Sequence, residues 1–386
     1  MDFSLSDDQL TIRDAVRGVC ARFPGEYWRE LEKTKEYPSE FVRVLTDLGW
    51  LSILIPVEYG GGGLGITEAA IVLEEIHRSG GNASACHAQM YTMGALLRHG
   101  SEAQKRRILP EIAAGRLRLQ AFAVTEPDAG SDTTKISTTA VRRGDQYVIN
   151  GQKVFISRVE QSDLLLLLAR TTPLDRIEHA TDGLSLFLVD LNEAGSSIEA
   201  RRIPMMFNLH TYQVFLTDLV VPAENVVGEV GQGFRHVLDG WNAERTLIAS
   251  EAIGDARFFV DHATAYAYDR TVFGRPIGAN QGVQFPLAQA YAATEAASLV
   301  RHRAAAQFDA GEPCGDDANL AKLLASQAAS QAGQAALQTF GGNGLSVEYD
   351  VERKYRETKL FEIAPVNNNL VLAYVAQRVL GLPRSY

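Results

Sequence analysis

The sequence predicts a mainly α-helical chain with a compact β domain at its centre. Three observations carry this. Apolar residues recur at helical spacing up to about residue 118. Short β-type runs, separated by turn residues, fill 119–227. From 228 to the end, long alanine-rich segments with few interior prolines read as a helical bundle. The expected domains are therefore 1–118, 119–227 and 228–386. At 386 residues, 46% of them hydrophobic, the chain can build two or three substantial cores.

The elements follow in order. Ser6-Asp7-Asp8-Gln9 offers an N-cap before the apolar face of Leu10, Ile12 and Val16. A second helix fits Ser39 to Leu48. Gly60 to Gly63 breaks the pattern, which resumes over Ile66–Ser79 and Gln89–His99. Pro110 to Gly115 is expected to close the first domain. The β runs are 146–149, 154–156, 164–167, 184–189 and 212–215, with turns at Arg143-Gly144-Asp145 and Asn150-Gly151. Helices are expected from Phe234 to Tyr268, Ala288 to Asp309 and Asp317 to Gln338, part of whose apolar face suits self-association.

A net charge of −10 argues against nucleic acid as the main partner and fits an acidic cytoplasmic protein. Cys20, Cys86 and Cys314 are widely spaced and odd in number, so neither a disulfide framework nor a zinc site is expected. The acidic start, Met1 to Asp8, lacks a signal-peptide core. The longest apolar run, Leu164 to Ala169, reads as a buried strand rather than a membrane span.

Two motifs carry chemistry. Ala123-Val124-Thr125-Glu126-Pro127-Asp128-Ala129-Gly130-Ser131-Asp132 runs from a strand into a turn rich in small and hydroxyl residues. Such a turn can offer N–H groups and hydroxyls to a flat polar ring or a phosphate, although it also suits an ordinary connection. In Gly151-Gln152-Lys153-Val154-Phe155-Ile156-Ser157, Phe155 and Ser157 share one strand face. That pair can stack on and bond to a heteroaromatic ring, or simply be a core Phe beside a satisfied Ser.

These motifs, in this order and spacing, resemble those of the acyl-CoA dehydrogenase flavoproteins. Arg270-Thr271-Val272-Phe273-Gly274 followed by Asn280-Gln281, Gln338-Thr339-Phe340-Gly341-Gly342-Asn343-Gly344, and Tyr355-Arg356-Glu357-Thr358-Lys359 extend the resemblance over nearly the whole chain. It implies an N-terminal helical domain, a middle β-barrel and a C-terminal four-helix bundle. It also implies non-covalent FAD, a homotetramer (a dimer of dimers), and electron-transfer flavoprotein as oxidant. The implied reaction removes a proton from Cα of an acyl-CoA and passes a hydride from Cβ to flavin N5. By resemblance, Phe122, Val124, Thr125, Gly130, Ser131, Phe155 and Ser157 flank the isoalloxazine ring. Arg270, Phe273, Gln281, Gln338, Gly341 and Gly342 reach the rest of FAD across a subunit interface, and Asn367 and Asn369 are further FAD contacts. Ser131, Asn242 and Arg245 touch CoA, while Gln89 and Met93 lie in the segment lining the distal acyl pocket. The mixed polarity of that segment, with His87, Gln89 and Tyr91, leans toward a short, branched or functionalised acyl group.

The base is the departure. Most members carry it in the loop after the Tyr-Arg-x-x-Lys lead-in, where ungapped matching places Pro365. Proline is no base, and it lacks the N–H aimed at the thioester oxygen. Glu362 lies three residues too early. A branch that includes isovaleryl- and long-chain acyl-CoA dehydrogenases carries the base on the helix before Arg-x-x-Phe-Gly, and Glu244-Arg245-Thr246-Leu247-Ile248 resembles its pattern. Glu244 is thus the candidate base, the competing reading being an ordinary surface glutamate. Rival functions are an enoyl-CoA reductase or acyl-CoA desulfinase of the same fold, or a silent flavin- and acyl-CoA-binding protein.

Overall fold

The computed structural model describes residues 4–384, so the acidic start at Met1–Phe3 lies outside it. The fold is that of the predicted layout: helical segments on either side of a β domain in sequence. The helices are α1 (Asp7–Cys20), α2 (Gly25–Thr34), α3 (Ser39–Asp47), α4 (Ile66–Arg78), α5 (Ser84–His99), α6 (Glu102–Ala113), the single turn α7 (Leu191–Ala194), α8 (Gly233–Asp269), α9 (Gln281–Asp309), α10 (Gly315–Phe340), α11 (Val351–Ile363) and α12 (Asn368–Tyr374). The strands are β1 (Ala121–Ala123), β2 (Thr139–Arg143), β3 (Gln146–Ser157), β4 (Leu164–Arg170), β5 (Leu184–Asp190), β6 (Ile198–Arg202), β7 (Thr211–Pro222), β8 (Val226–Val227), β9 (Thr271–Val272) and β10 (Arg275–Pro276).

Two compact units emerge, and the segment 1–118 contributes to both. A helical unit comprises Met1–Glu36, Gly65–Ala83 and Asn242–Tyr386. A sheet unit comprises Tyr37–Leu64 and Ser84–Trp241.

In the helical unit the predicted N-cap is present: Gln9 N–H donates to Ser6 Oγ at 3.2 Å, and Ser6 N–H returns a bond to Gln9 Oε1 at 3.1 Å. The core is built from alanines of α8, α9 and α10, filled by Phe258, Phe259, Phe340 and Phe361. Small residues let the helices approach closely. At Gly254 a Cβ would stand 2.4 Å from the Glu74 carbonyl oxygen of α4 and 2.6 Å from the His77 Cβ. Gly254→Ala is therefore expected to cost about 1–3 kcal/mol despite alanine's better helix propensity, read as a lower urea midpoint.

A charged cluster lies beneath this packing. Lys354 is fully buried; its Nζ donates to the Gly81 carbonyl at 2.7 Å and lies 2.7 Å from Asp255 and 2.8 Å from Glu357. Arg353 donates to Glu357 at 2.9 Å and to the Gly80 carbonyl at 2.8 Å. Burial alone would raise the Glu357 carboxyl, but Lys354 and Arg353 outweigh it and hold the group below its ordinary value. Ala83 N–H donates to His77 Nε2 at 3.0 Å, which leaves the ring proton on Nδ1, 2.7 Å from Asp255. The Tyr355-to-Lys359 motif therefore sits on a helix, α11, whose buried face is ionic.

In the sheet unit, eight strands follow the path β6-β7-β3-β2-β4-β5-β8, with β1 beside β4. β4 is buried along its whole length, as the Leu164-to-Ala169 run predicts. The expected turn at Asn150-Gly151 is instead a bulge within one long strand, β3. There the Asn150 amide exchanges hydrogen bonds with Asp218 across the ladder, 3.1 Å to its carboxylate and 2.8 Å from its N–H. Cross-strand partners at a bulge replace the local turn that Asn-Gly would otherwise make.

Candidate functional site

The two sequence motifs of the sheet unit meet in space. Val154 N–H donates to the Thr125 carbonyl at 2.9 Å, tying β3 to the turn after β1. Lys153 lies beneath them, fully buried, with Nζ donating to the Val124 carbonyl and to Glu126 Oε1, each at 3.0 Å. Glu126, 4% exposed, also accepts from Ser137 N–H at 2.7 Å, Ser137 Oγ at 2.8 Å and Thr138 N–H at 2.9 Å. Burial would raise this carboxyl, but Lys153 and the Ser137 and Thr138 bonds win and hold it at about 2. Burial pulls Lys153 down to about 8 against the pull of Glu126. At neutral pH both partners stay charged. Neither residue was singled out from sequence as a site residue, yet their ion pair fixes the backbone of Val124 and Thr125.

Above that base the polar turn is open. Phe122, Thr125 and Ser157 are half-buried, Val124 is buried, and Gly130 and Ser131 are exposed. Phe155 occupies the left-handed region at φ 58° next to a register shift between Lys153 and Ile156, with its ring 60% exposed. An aromatic residue held at positive φ with an exposed ring is costly and needs a reason. A flat ligand ring stacked on it supplies one, and the adjoining hydroxyls and N–H groups suit the polar edge of an isoalloxazine. The residues present thus fit FAD. Gln89 and Met93 are fully buried on α5, Met93 within the core around Leu96 and Val124.

In the helical unit, β9 and β10 form a hairpin whose two-residue turn is Phe273-Gly274, both at positive φ (52° and 77°). This is the geometry of a type I′ turn, and it throws the Phe273 ring fully into solvent. Arg270, Gln281, Gln338, Gly341 and Gly342 are exposed as well. Gly341 ends α10 at φ 58°, ψ −130°, a conformation that only glycine adopts without strain.

Glu244 lies on α8 and is 7% exposed, not an ordinary surface glutamate. Its neighbour Arg245 donates to Asn242 at 2.9 Å, and its Nε has no hydrogen-bond partner among the described residues. Burial lowers the Arg245 pKa, opposed by Glu244. Glu362 is the weaker candidate on observation too: its side chain is 38% exposed and lies 3.8 Å from Lys359.

The loop after α11 is fixed at both ends. Ala364 N–H is spent on the Leu360 carbonyl at 2.8 Å, and Pro365 has none. Val366 N–H makes no hydrogen bond among the described residues, so it is the loop's first uncommitted donor. Asn367 Oδ1 accepts from Leu370 N–H at 2.9 Å and so caps α12, while Asn369 is exposed. Asn368 turns onto α10, where its Oδ1 accepts from buried Lys322 at 2.7 Å and its amide donates to Ser326 at 3.1 Å. Burial brings Lys322 down to about 8.

Among the described residues no helix is long and apolar enough to cross a membrane. Three family models match in order: acyl-CoA dehydrogenase N-terminal domain at 6–116, middle domain at 121–218 and C-terminal domain at 231–380. The chain is 38% identical to acyl-CoA dehydrogenase FadE12 of Mycobacterium tuberculosis (strain ATCC 25618 / H37Rv), covering 100% of this chain and 99% of the relative. It is 35% identical to cyclohex-1-ene-1-carbonyl-CoA dehydrogenase of Syntrophus aciditrophicus, over 97% and 91% of the two chains. The structure of a glutaryl-coenzyme A dehydrogenase–glutaryl-CoA complex superposes with a TM-score of 0.93 at 32% identity, over 100% of this chain and 98% of that one. The chain belongs to the acyl-CoA dehydrogenase family and is an FAD-dependent enzyme of acyl-CoA dehydrogenation.

Proposed function

We propose that Glu244 is the base that removes the Cα proton of the acyl-CoA, as in the branch resembling isovaleryl-CoA dehydrogenase. The observation that carries this is its near-complete burial on α8, while the loop position holds Pro365 and Glu362 faces Lys359. A thioester α-proton is weakly acidic, so the step needs a close carboxylate and a donor to the thioester oxygen. Val366 N–H supplies that donor in place of the one Pro365 lacks, and Lys322 holds the loop through Asn368. When bound, FAD supplies the two-electron acceptor. Phe122, Val124, Thr125, Gly130, Ser131, Phe155 and Ser157 hold its ring, and Arg270, Phe273, Gln281, Gln338, Gly341, Gly342, Asn367 and Asn369 hold the remainder.

Asn242, Arg245 and Ser131 bind CoA, and α5 shapes the acyl site for a short, branched or functionalised group, with Gln89 and Met93 packed behind it on the face turned to the core. The enzyme works as a cytoplasmic homotetramer, with domains 1–118, 119–227 and 228–386, and passes electrons to electron-transfer flavoprotein. Anaerobic titration with a panel of acyl-CoAs tests this reading. Flavin absorbance is expected to bleach with short or branched acyl-CoAs. Tight binding without bleaching by any of them would favour a silent binding protein.

A further inference from the structure

Before its last turn, where Leu97, Arg98 and His99 are half-buried or exposed, α5 is buried except at Ser84, Tyr91 and Gly94, which keep partial exposure. These positions are spaced i, i+7 and i+10, which is one stripe of a helix. His87, at i+3 on the same stripe, packs edge-on against Tyr91 with ring centroids 5.1 Å apart. Tyr91 in turn lies 6.1 Å from Phe122, the half-buried ring on β1 that leads into the Val124–Thr125 turn. The stripe therefore joins the flavin motif through a row of three aromatic rings. Its far end is open, because a Cβ on Gly94 would meet nothing within 4 Å.

We infer that this stripe receives a cyclic or aromatic acyl group, with Tyr91 as the residue that selects it and Gly94 leaving room for it. The inference rests on the acyl-CoA reading above and names the substrate class of that site. A ring lying along His87, Tyr91 and Phe122 gains edge and offset-stacked contacts that a straight chain cannot make. His87 and Tyr91 also bring polar edges, so a ring bearing a hydroxyl or carbonyl fits as well as a plain one.

The test uses FAD-loaded enzyme and the flavin absorbance shift on titration with cinnamoyl-CoA and with crotonyl-CoA, which needs no turnover. Wild-type enzyme is expected to bind cinnamoyl-CoA the more tightly. That preference should fall about tenfold in Tyr91→Leu, the size of one lost aromatic contact. It should also fall in Gly94→Val, which fills the open end on an unstrained helical backbone. A wild-type preference for crotonyl-CoA, or a ratio unchanged in both variants, would overturn the inference. Failure of the Glu244 assignment appears separately, as proton abstraction that persists in Glu244→Gln with this binding preference intact.

Discussion

Glu244→Gln is expected to lower the rate of flavin reduction by saturating acyl-CoA by about 10²- to 10⁴-fold, the usual yield of a positioned general base. FAD content and affinity for the enoyl-CoA product should stay near wild type. The substitution keeps the side chain's shape and a hydrogen-bonding oxygen at a site that is 7% exposed, so little repacking is expected. It removes only the ability to take a proton. The loop position carries Pro365, and Glu362 lies 3.8 Å from Lys359. Normal bleaching kinetics in the variant would sink the assignment. If Lys322 acts through the loop, Lys322→Gln should slow reduction more than it weakens product binding, a split that simple loss of stability would not give.

The second large effect concerns the foundation of the flavin motif. Lys153→Met is expected to destabilise the sheet unit by about 3–5 kcal/mol, because it strands the buried Glu126 carboxylate without its counter-charge. Urea unfolding with apo and FAD-loaded enzyme measures this, and FAD should dissociate more readily as the Val124 carbonyl loses its tether. The pH dependence has a defined sign. Glu126 sits at about 2 in the folded chain against an ordinary 4.5. Its stabilisation is therefore fully present above 4.5 and is lost as pH falls through about 2. Lys153 moves the other way in energy: lowered from 10.5 to about 8, its ammonium costs stability below 8, a cost relieved as pH rises toward 10.5. Glu126→Gln should flatten the acid limb of the stability curve between 4.5 and 2. An unchanged acid limb would contradict the pairing.

The sequence made some of this legible and hid the rest for physical reasons. Local patterns survived folding. The Ser6 cap, the leucine run of β4 and the alanine-rich helices depend on neighbours in sequence, and the structure has them where expected. Helix ends were less legible: Pro110 stands inside α6, which continues to Ala113, and α9 begins at Gln281, ahead of Pro286. α2, between the two expected N-terminal helices, was not anticipated. The harder omissions were buried charges. Lys153, Lys322 and Lys354 are each no more than 1% exposed, and a lysine in a sequence reads as surface. Lys153 and Lys322 bond to partners 27 and 46 residues away, and Lys354 to Gly81 273 residues away as well as to Glu357 three residues on, so a local window shows little of their burial. The positive φ of Phe155 was hidden likewise, since it follows from a bulge against β7. By contrast, the Arg-x-x-Phe-Gly motif was legible as a motif, and its hairpin now gives the reason: Gly274 and the strained Phe273 together make the tight turn that exposes the ring.

Exchange of the substrate α-hydrogen with solvent isolates proton removal from everything that follows it. FAD-loaded enzyme is incubated anaerobically with an acyl-CoA in D2O, and deuterium at Cα is followed by mass spectrometry. Exchange is expected from the wild-type enzyme and none above background from Glu244→Gln, with FAD and acyl-CoA still bound. Exchange by Glu244→Gln at the wild-type rate would contradict the assignment and return the search for the base to the rest of the chain.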